Sequence, residues 1–180
     1  MSAAKGRSVP STWFQWHADR IQHGDRVLVL ACGDGTHAIA AAERGARVVA
    51  VDRDAEQLDL GQRAAAKARV DVEWIEADLT ADPLPGGPFD VVMVFEYLDR
   101  TRMPEFLEAV RPGGLFLYET FLEQQRELGW GPTSDDHLLQ AGELWSLVQP
   151  FEILLGREVL EILDGRTKAV ASVLAQRPME

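Results

Sequence analysis

The 180-residue chain has one cysteine, Cys32, which excludes an internal disulfide framework and any cysteine-rich metal site. Its four histidines, His17, His23, His37 and His137, fall at no metal-ligand spacing, so no metal is expected. Basic residues are few: 18 Lys and Arg stand against 29 Asp and Glu, a net charge of −11. That balance argues against a nucleic-acid groove or an anionic membrane surface. No apolar run approaches the length of a membrane span. Lys5 and Arg7 have no apolar stretch behind them, so no secretory signal is expected and the cytoplasm is the expected compartment. There is no Gly-x-x-x-x-Gly-Lys-Ser/Thr loop, which removes the nucleotide-phosphate-loop class. Neither of the two tyrosines, Tyr97 and Tyr118, has a lysine four residues on, where Thr101 and Leu122 stand. A nicotinamide-dependent oxidoreductase would need such a pair or a separate substrate domain.

What is present is 46% apolar residues, enough for one core. One domain is expected over residues 10–176, after a loose segment 1–9 and before a frayed tail 177–180. Ser11 or Thr12 is positioned to cap a helix carrying Trp13, Phe14, Trp16 and His17. That helix would be either a lid over an acceptor pocket or an amphipathic helix packed on a sheet. The runs 26–31, 46–51 and 89–95 lack polar alternation and read as strands buried on both faces. Residues 70–76 and 115–120 add two more. Helices are expected at 37–44, 55–68, 102–110 and 142–148. The three prolines and two glycines of 82–88 leave no room for a helix. Residues 151–163 and 168–175, joined around Asp164-Gly165, read as a hairpin. This alternation predicts an α/β doubly wound, mostly parallel sheet with helices on both faces. Ligands of such sheets bind beyond the carboxyl ends of the strands.

Three features converge there. Gly33 and Gly35 bracket Asp34 between a strand and a helix, where a backbone without Cβ atoms can turn tightly beside a ligand. Asp52 ends the second strand, placed to accept both hydroxyls of a ribose. Asp78 follows the third, within reach of an adenine amino group. Each has a plainer reading as a turn or a cap, and their value is in the conjunction.

The segment Val27-Leu28-Val29-Leu30-Ala31-Cys32-Gly33-Asp34-Gly35 resembles the first motif of the class I, Rossmann-like S-adenosylmethionine-dependent methyltransferases. Residues 46–54, Glu76-Ala77-Asp78-Leu79, Phe89-Asp90-Val91-Val92 and Val110-Arg111-Pro112-Gly113-Gly114 follow in that family's order. The nearer likeness is to small bacterial tellurite-resistance-type and thiopurine-type members. The resemblance implies a seven-stranded sheet of order 3-2-1-4-5-7-6 with the last strand antiparallel. It also implies S-adenosyl-L-methionine as cofactor, held around Ala31, Cys32, Gly33, Gly35, Asp52, Arg53, Asp78, Leu79 and Phe95. His37, opening the helix beside the glycine turn, is placed to touch the cofactor's carboxylate. Val29, Thr36, Glu96 and Asp99 depart from the family's usual residues at their places.

Function is therefore expected to be in-line methyl transfer to a small-molecule acceptor. A nicotinamide-dependent oxidoreductase and a catalytically weak binding or assembly protein on the same fold are the alternatives. Glu96 and Glu119 are candidate general bases if the acceptor must lose a proton, although Glu119 also reads as a solvent-facing acid at a strand end. Phe95, Tyr97 and Phe121 are expected to line one acceptor pocket. Cys32 reads as a small packing residue with no nucleophilic role. Nothing in the sequence indicates an oligomeric state.

Overall fold

A computed structural model describes residues 8–180; most of the expected loose segment 1–9 lies outside them. The chain alternates strands and helices: α1 (Thr12–His17), β1 (Arg26–Leu30), α2 (Thr36–Glu43), β2 (Arg47–Asp52), α3 (Ala55–Ala68) and β3 (Val72–Glu76) come first. Then follow β4 (Phe89–Phe95), α4 (Met103–Glu108), β5 (Val110–Phe121), α5 (Glu143–Leu147), β6 (Glu152–Leu163) and β7 (Arg166–Gln176). The strands form one sheet of order β3-β2-β1-β4-β5-β7-β6. Strands β1 to β5 are parallel, and β7 runs antiparallel to both β5 and β6.

Strand alternation divides the core in two. Val27, Val29, Val48, Ala50, Val91 and Met93 point to the face covered by α1 and α2. Leu28, Leu30, Val49, Val51, Val92 and Val94 point to the other, with Met103, Phe106 and Leu144. A strand sandwiched this way must be apolar at every position, which is why these runs lack polar alternation. No helix forms between β3 and β4, as the prolines and glycines there dictate.

Ser11 caps α1 through its Oγ, which accepts from the Phe14 N–H at 3.1 Å. The helix is packed and is no lid: Trp13 and Phe14 are buried, and Trp13 Nε1 donates to Val173 O at 3.1 Å. The β6–β7 turn places Asp164 and Gly165 at φ 50° and 74°, the positive values a two-residue turn of this hand demands. Strand β5 starts earlier than 115. Val110 pairs with Phe89 and Leu115 with Val91, so Arg111-Pro112-Gly113-Gly114 loops out between them. The expected tail begins later than 177, because Arg177 exchanges backbone bonds with residues 113 and 114 and its guanidinium reaches Val110 O.

Candidate functional site

Two cavities open side by side at the carboxyl ends of β1, β2, β4 and β5. The larger, about 750 Å³, is lined by Ala31, Asp52, Arg53, Asp78, Leu79, Tyr97 and their neighbours, and extends to Phe121 and His137. The smaller, about 390 Å³, lies against Val29, Cys32, Gly33, Asp34, His37, Phe95, Glu119, Leu163 and Lys168. Ala31 and Glu96 line both. Both also hold positive backbone angles, φ 49° and 56°, in a region that residues with a Cβ seldom occupy. Such conformations persist only where surrounding structure enforces them, and they concentrate at functional sites.

The strand ends position the carboxylates. Asp52 terminates β2, where its Oδ2 accepts from the Gly33 N–H at 2.8 Å and its Oδ1 from the Asp54 N–H at 2.9 Å. It thereby ties the glycine turn to the second strand while facing the larger cavity. Asp78 accepts the backbone and hydroxyl of Thr80 through Oδ1, which holds its carboxyl below the ordinary range. Among the described residues no donor reaches its Oδ2. Asp54 is the N-cap of α3, so the crowding of acids after β2 separates into one cap and one cavity residue.

The glycines divide their labour differently from expectation. A Cβ on Gly33, at φ 53°, would meet no atom within 4 Å, and Gly33 lines the smaller cavity. A Cβ on Gly35 would lie 2.3 Å from the Trp74 ring. Gly33 stands beside open space; Gly35 leaves space for Trp74.

His37 Nε2 accepts the Ser11 N–H at 3.0 Å, and its ring stacks on Phe95 with centroids 3.9 Å apart. Burial, with a smaller contribution from Lys168, lowers its pKa to about 3, so the ring is neutral. A neutral ring accepting at Nε2 carries its proton at Nδ1. Cys32 is buried with its thiol pushed up to about 12, chiefly by burial and then by Asp52. The thiolate is the reactive form, so native protein at pH 8 should resist iodoacetamide while unfolded protein alkylates readily. Native alkylation at the unfolded rate, followed by mass spectrometry, would contradict this.

Phe95, Tyr97 and Phe121 do not line one pocket. Phe95 faces the smaller cavity, whereas Tyr97 and Phe121 face the larger. The left-handed turn at Glu96 redirects the chain between the two rings. Glu119 is no solvent-facing acid, being wholly buried. Its Oε1 accepts from Lys168 Nζ at 3.0 Å, and its Oε2 from Ser172 Oγ at 2.6 Å and Arg157 Nη2 at 3.2 Å. The register explains the cluster: Glu119 pairs with Ser172, Ser172 with Arg157, and Lys168 with Glu161. Sequence reasoning missed Lys168. Its signal was a lysine on the same strand face as Ser172 and Leu174 in an otherwise apolar run. Arg100 was missed too; it binds both oxygens of Glu143 and Leu138 O, fixing the loop that walls the larger cavity. No local pattern marks it.

Asp99 and Thr36 serve local structure. Asp99 Oδ1 accepts from Thr101 and Arg102, and Thr36 Oγ1 donates to Asp34 Oδ1 at 2.7 Å.

Residues 27–114 match the family model described as a methyltransferase domain. The ribosomal protein L11 methyltransferase of Thermus thermophilus is 34% identical over 113 residues, covering 62% of this chain and 44% of that protein. The ubiquinone biosynthesis O-methyltransferase of Idiomarina loihiensis is 30% identical over 130 residues, covering 68% and 53% respectively. An uncharacterised protein of Mycobacterium tuberculosis is 44% identical over 73 residues, 41% of this chain and 27% of that one. The chain thus spans between about a quarter and a half of these relatives. Among solved structures, TehB from Haemophilus influenzae superposes with a TM-score of 0.76 at 18% identity, covering 90% of this chain and 60% of that one. The [4+2]-cyclase SpnF superposes at 0.74 with 18% identity, covering 92% and 80%. At such identity these likenesses concern the fold, and one is named for a reaction other than methyl transfer. Residues 27–114 are thus similar to a methyltransferase domain, and the sheet order with its terminal antiparallel strand is the fold shared with these solved structures.

Proposed function

We propose that this chain binds S-adenosylmethionine across its two cavities and methylates a small-molecule acceptor. The observation that carries this is the contiguity of the cavities. A nucleoside-sized space walled by Asp52 and Asp78 meets a smaller one along the glycine turn, and Ala31 and Glu96 belong to both. The residues fit the cofactor. Asp52 and Asp78 line the larger cavity, no donor among the described residues reaches Asp78 Oδ2, and Gly33 lines the smaller cavity with Cys32 and His37. Arg53 and Leu79 wall the nucleoside end, and Phe95 braces His37. Bound there, S-adenosylmethionine would supply a sulfonium methyl that an acceptor lone pair takes in line while the carbon–sulfur electron pair stays on sulfur.

The protein's task is then to align the acceptor and exclude water. Relatives named for a protein acceptor and for ubiquinone biosynthesis share the domain. A second cavity of about 390 Å³ and a net charge of −11 favour a small molecule over nucleic acid. Glu119 has both oxygens committed to buried donors, so its proposed role is to position Lys168; Glu96, at the shared rim, keeps the role of candidate base.

Asp52→Ala is expected to weaken S-adenosylmethionine binding by about 1.5–3 kcal/mol, the range for hydrogen bonds to a charged group. Because Asp52 also accepts two backbone N–H groups, stability without ligand should fall by about 1–3 kcal/mol as well. Titration calorimetry and urea unfolding measure the two. Wild-type affinity in the folded variant overturns the assignment.

A further inference from the structure

Strand β6 forms one edge of the sheet. It runs for 12 residues, about twice the usual strand length. Beyond a bulge between Ile153 and Leu155 it pairs with β7 without interruption to Leu163. Among the described residues, no backbone group of 152–163 bonds to any element other than β7, so the outer row of N–H and C=O groups is left to pair. Edges of this length are ordinarily blunted by lysine, proline or a covering element. β6 contains neither lysine nor proline, and it carries Leu155, Leu160 and Ile162 exposed.

We infer that β6 is the interface to a second copy of this chain, paired antiparallel about a two-fold axis at Val159. Such an axis stands normal to the sheet and keeps each residue on its own face. A residue can then oppose only one an even number of places away. Charge selects among the registers this leaves, because like charges directly opposite destabilise a sheet and opposite charges support it. Centred on Arg157, Glu158 or Glu161, the pairing sets that charge against its own copy. Centred on Gly156 or Leu160, it sets Arg157 against a leucine. Centred on Val159, it sets Arg157 against the partner's Glu161 on both sides of the axis, and Leu155 against the partner's Leu163. The same register clears the bulge at the start of the strand. It also meets a need within the chain. Glu161 Oε1 is buried and accepts no hydrogen bond, its nearest cation being Lys168 Nζ at 3.6 Å. The partner's Arg157 brings a further guanidinium to it. The interface reaches the site as well, since Leu163 lines the smaller cavity. It stands independently of the methyl-transfer reading.

Sedimentation equilibrium on the full chain at micromolar concentration tests this, with a dimer expected at twice the chain mass of 20.0 kDa. Leu160 opposes the partner's Glu158 in this register alone, and at 65% exposure it tolerates a charge without loss of fold. Leu160→Glu should therefore weaken the dimer, by placing two like-charge pairs across the axis. Leu160→Lys, which places two opposite-charge pairs there, should dimerise at least about tenfold more tightly than Leu160→Glu. Circular dichroism confirms that both variants fold. A disulfide reads the register directly. Residues opposed across an antiparallel pair lie about 4.5–5.5 Å apart at Cα, within disulfide reach. Val159→Cys should thus give a covalent dimer on mild oxidation, and Ile162→Cys, far from its own copy, should not. The native Cys32 is buried and does not compete. A monomeric wild type, a dimer indifferent to Leu160→Glu, equal weakening by Leu160→Lys, or equal linking at 159 and 162 would each overturn the inference.

Discussion

Replacing Gly35 by valine is expected to lower the stability of the protein by about 2–5 kcal/mol, whether or not cofactor is present. Two costs add. A left-handed backbone costs a residue with a Cβ about 1–2 kcal/mol, and Gly35 sits at φ 77°. Overpacking a filled site costs about 1–3 kcal/mol, and the new Cβ would lie 2.3 Å and 2.7 Å from two Trp74 ring atoms. Trp74 has no easy retreat, since a Cβ on Gly61 would meet the same ring at 2.6 Å. The indole is seated on two glycines, one at the start of α2 and one within α3, and these let both helices approach β3. Against a typical total of about 5–15 kcal/mol, the loss is large enough to read in a single urea melt. Gly33→Val supplies the contrast. It carries only the backbone cost, because nothing lies within 4 Å of its Cβ, but it adds an isopropyl group at a residue lining the smaller cavity. That variant should fold and lose cofactor binding. A Gly35→Val protein that melts like the wild type, or a Gly33→Val protein that binds cofactor normally, would sink this division of roles.

The second large effect lies in the ion cluster across β5, β6 and β7. Glu119 and Lys168 side chains are 1% and 4% exposed, and a buried charge left without its partner costs about 3–5 kcal/mol. Either Glu119→Leu or Lys168→Met alone should cost that much. The paired substitution should cost less than either, because an apolar pair of similar volume removes both desolvated charges together. A double-mutant cycle on unfolding free energies measures the coupling. If the two losses simply add, the pair is not an energetic unit, and Lys168 then has no claim to being held in position by Glu119.

Much of this molecule was legible from local chemistry. Buried strands announce themselves by unbroken apolar runs, α3 matches its expected bounds, and Asp164-Gly165 marked the hairpin turn because two positive φ values suit few other pairs. Asp52 and Asp78 were readable because parallel strands of similar length end at one edge of the sheet. The larger cavity is lined by both.

What the sequence determined was the order of elements, the sheet edge where the cavities open and the identity of the residues at each strand end. Those follow from periodicity and turn chemistry, which act over a few residues. Only the tertiary structure decided which glycine faces open space and which faces Trp74, that α1 packs rather than covers, and that Glu119 is paired. Each of these turns on contacts between residues far apart in the chain, such as Glu119 with Lys168, 49 residues on. Burial can reverse the meaning of a charged residue, and burial is fixed by the register of strands that no short stretch of sequence contains.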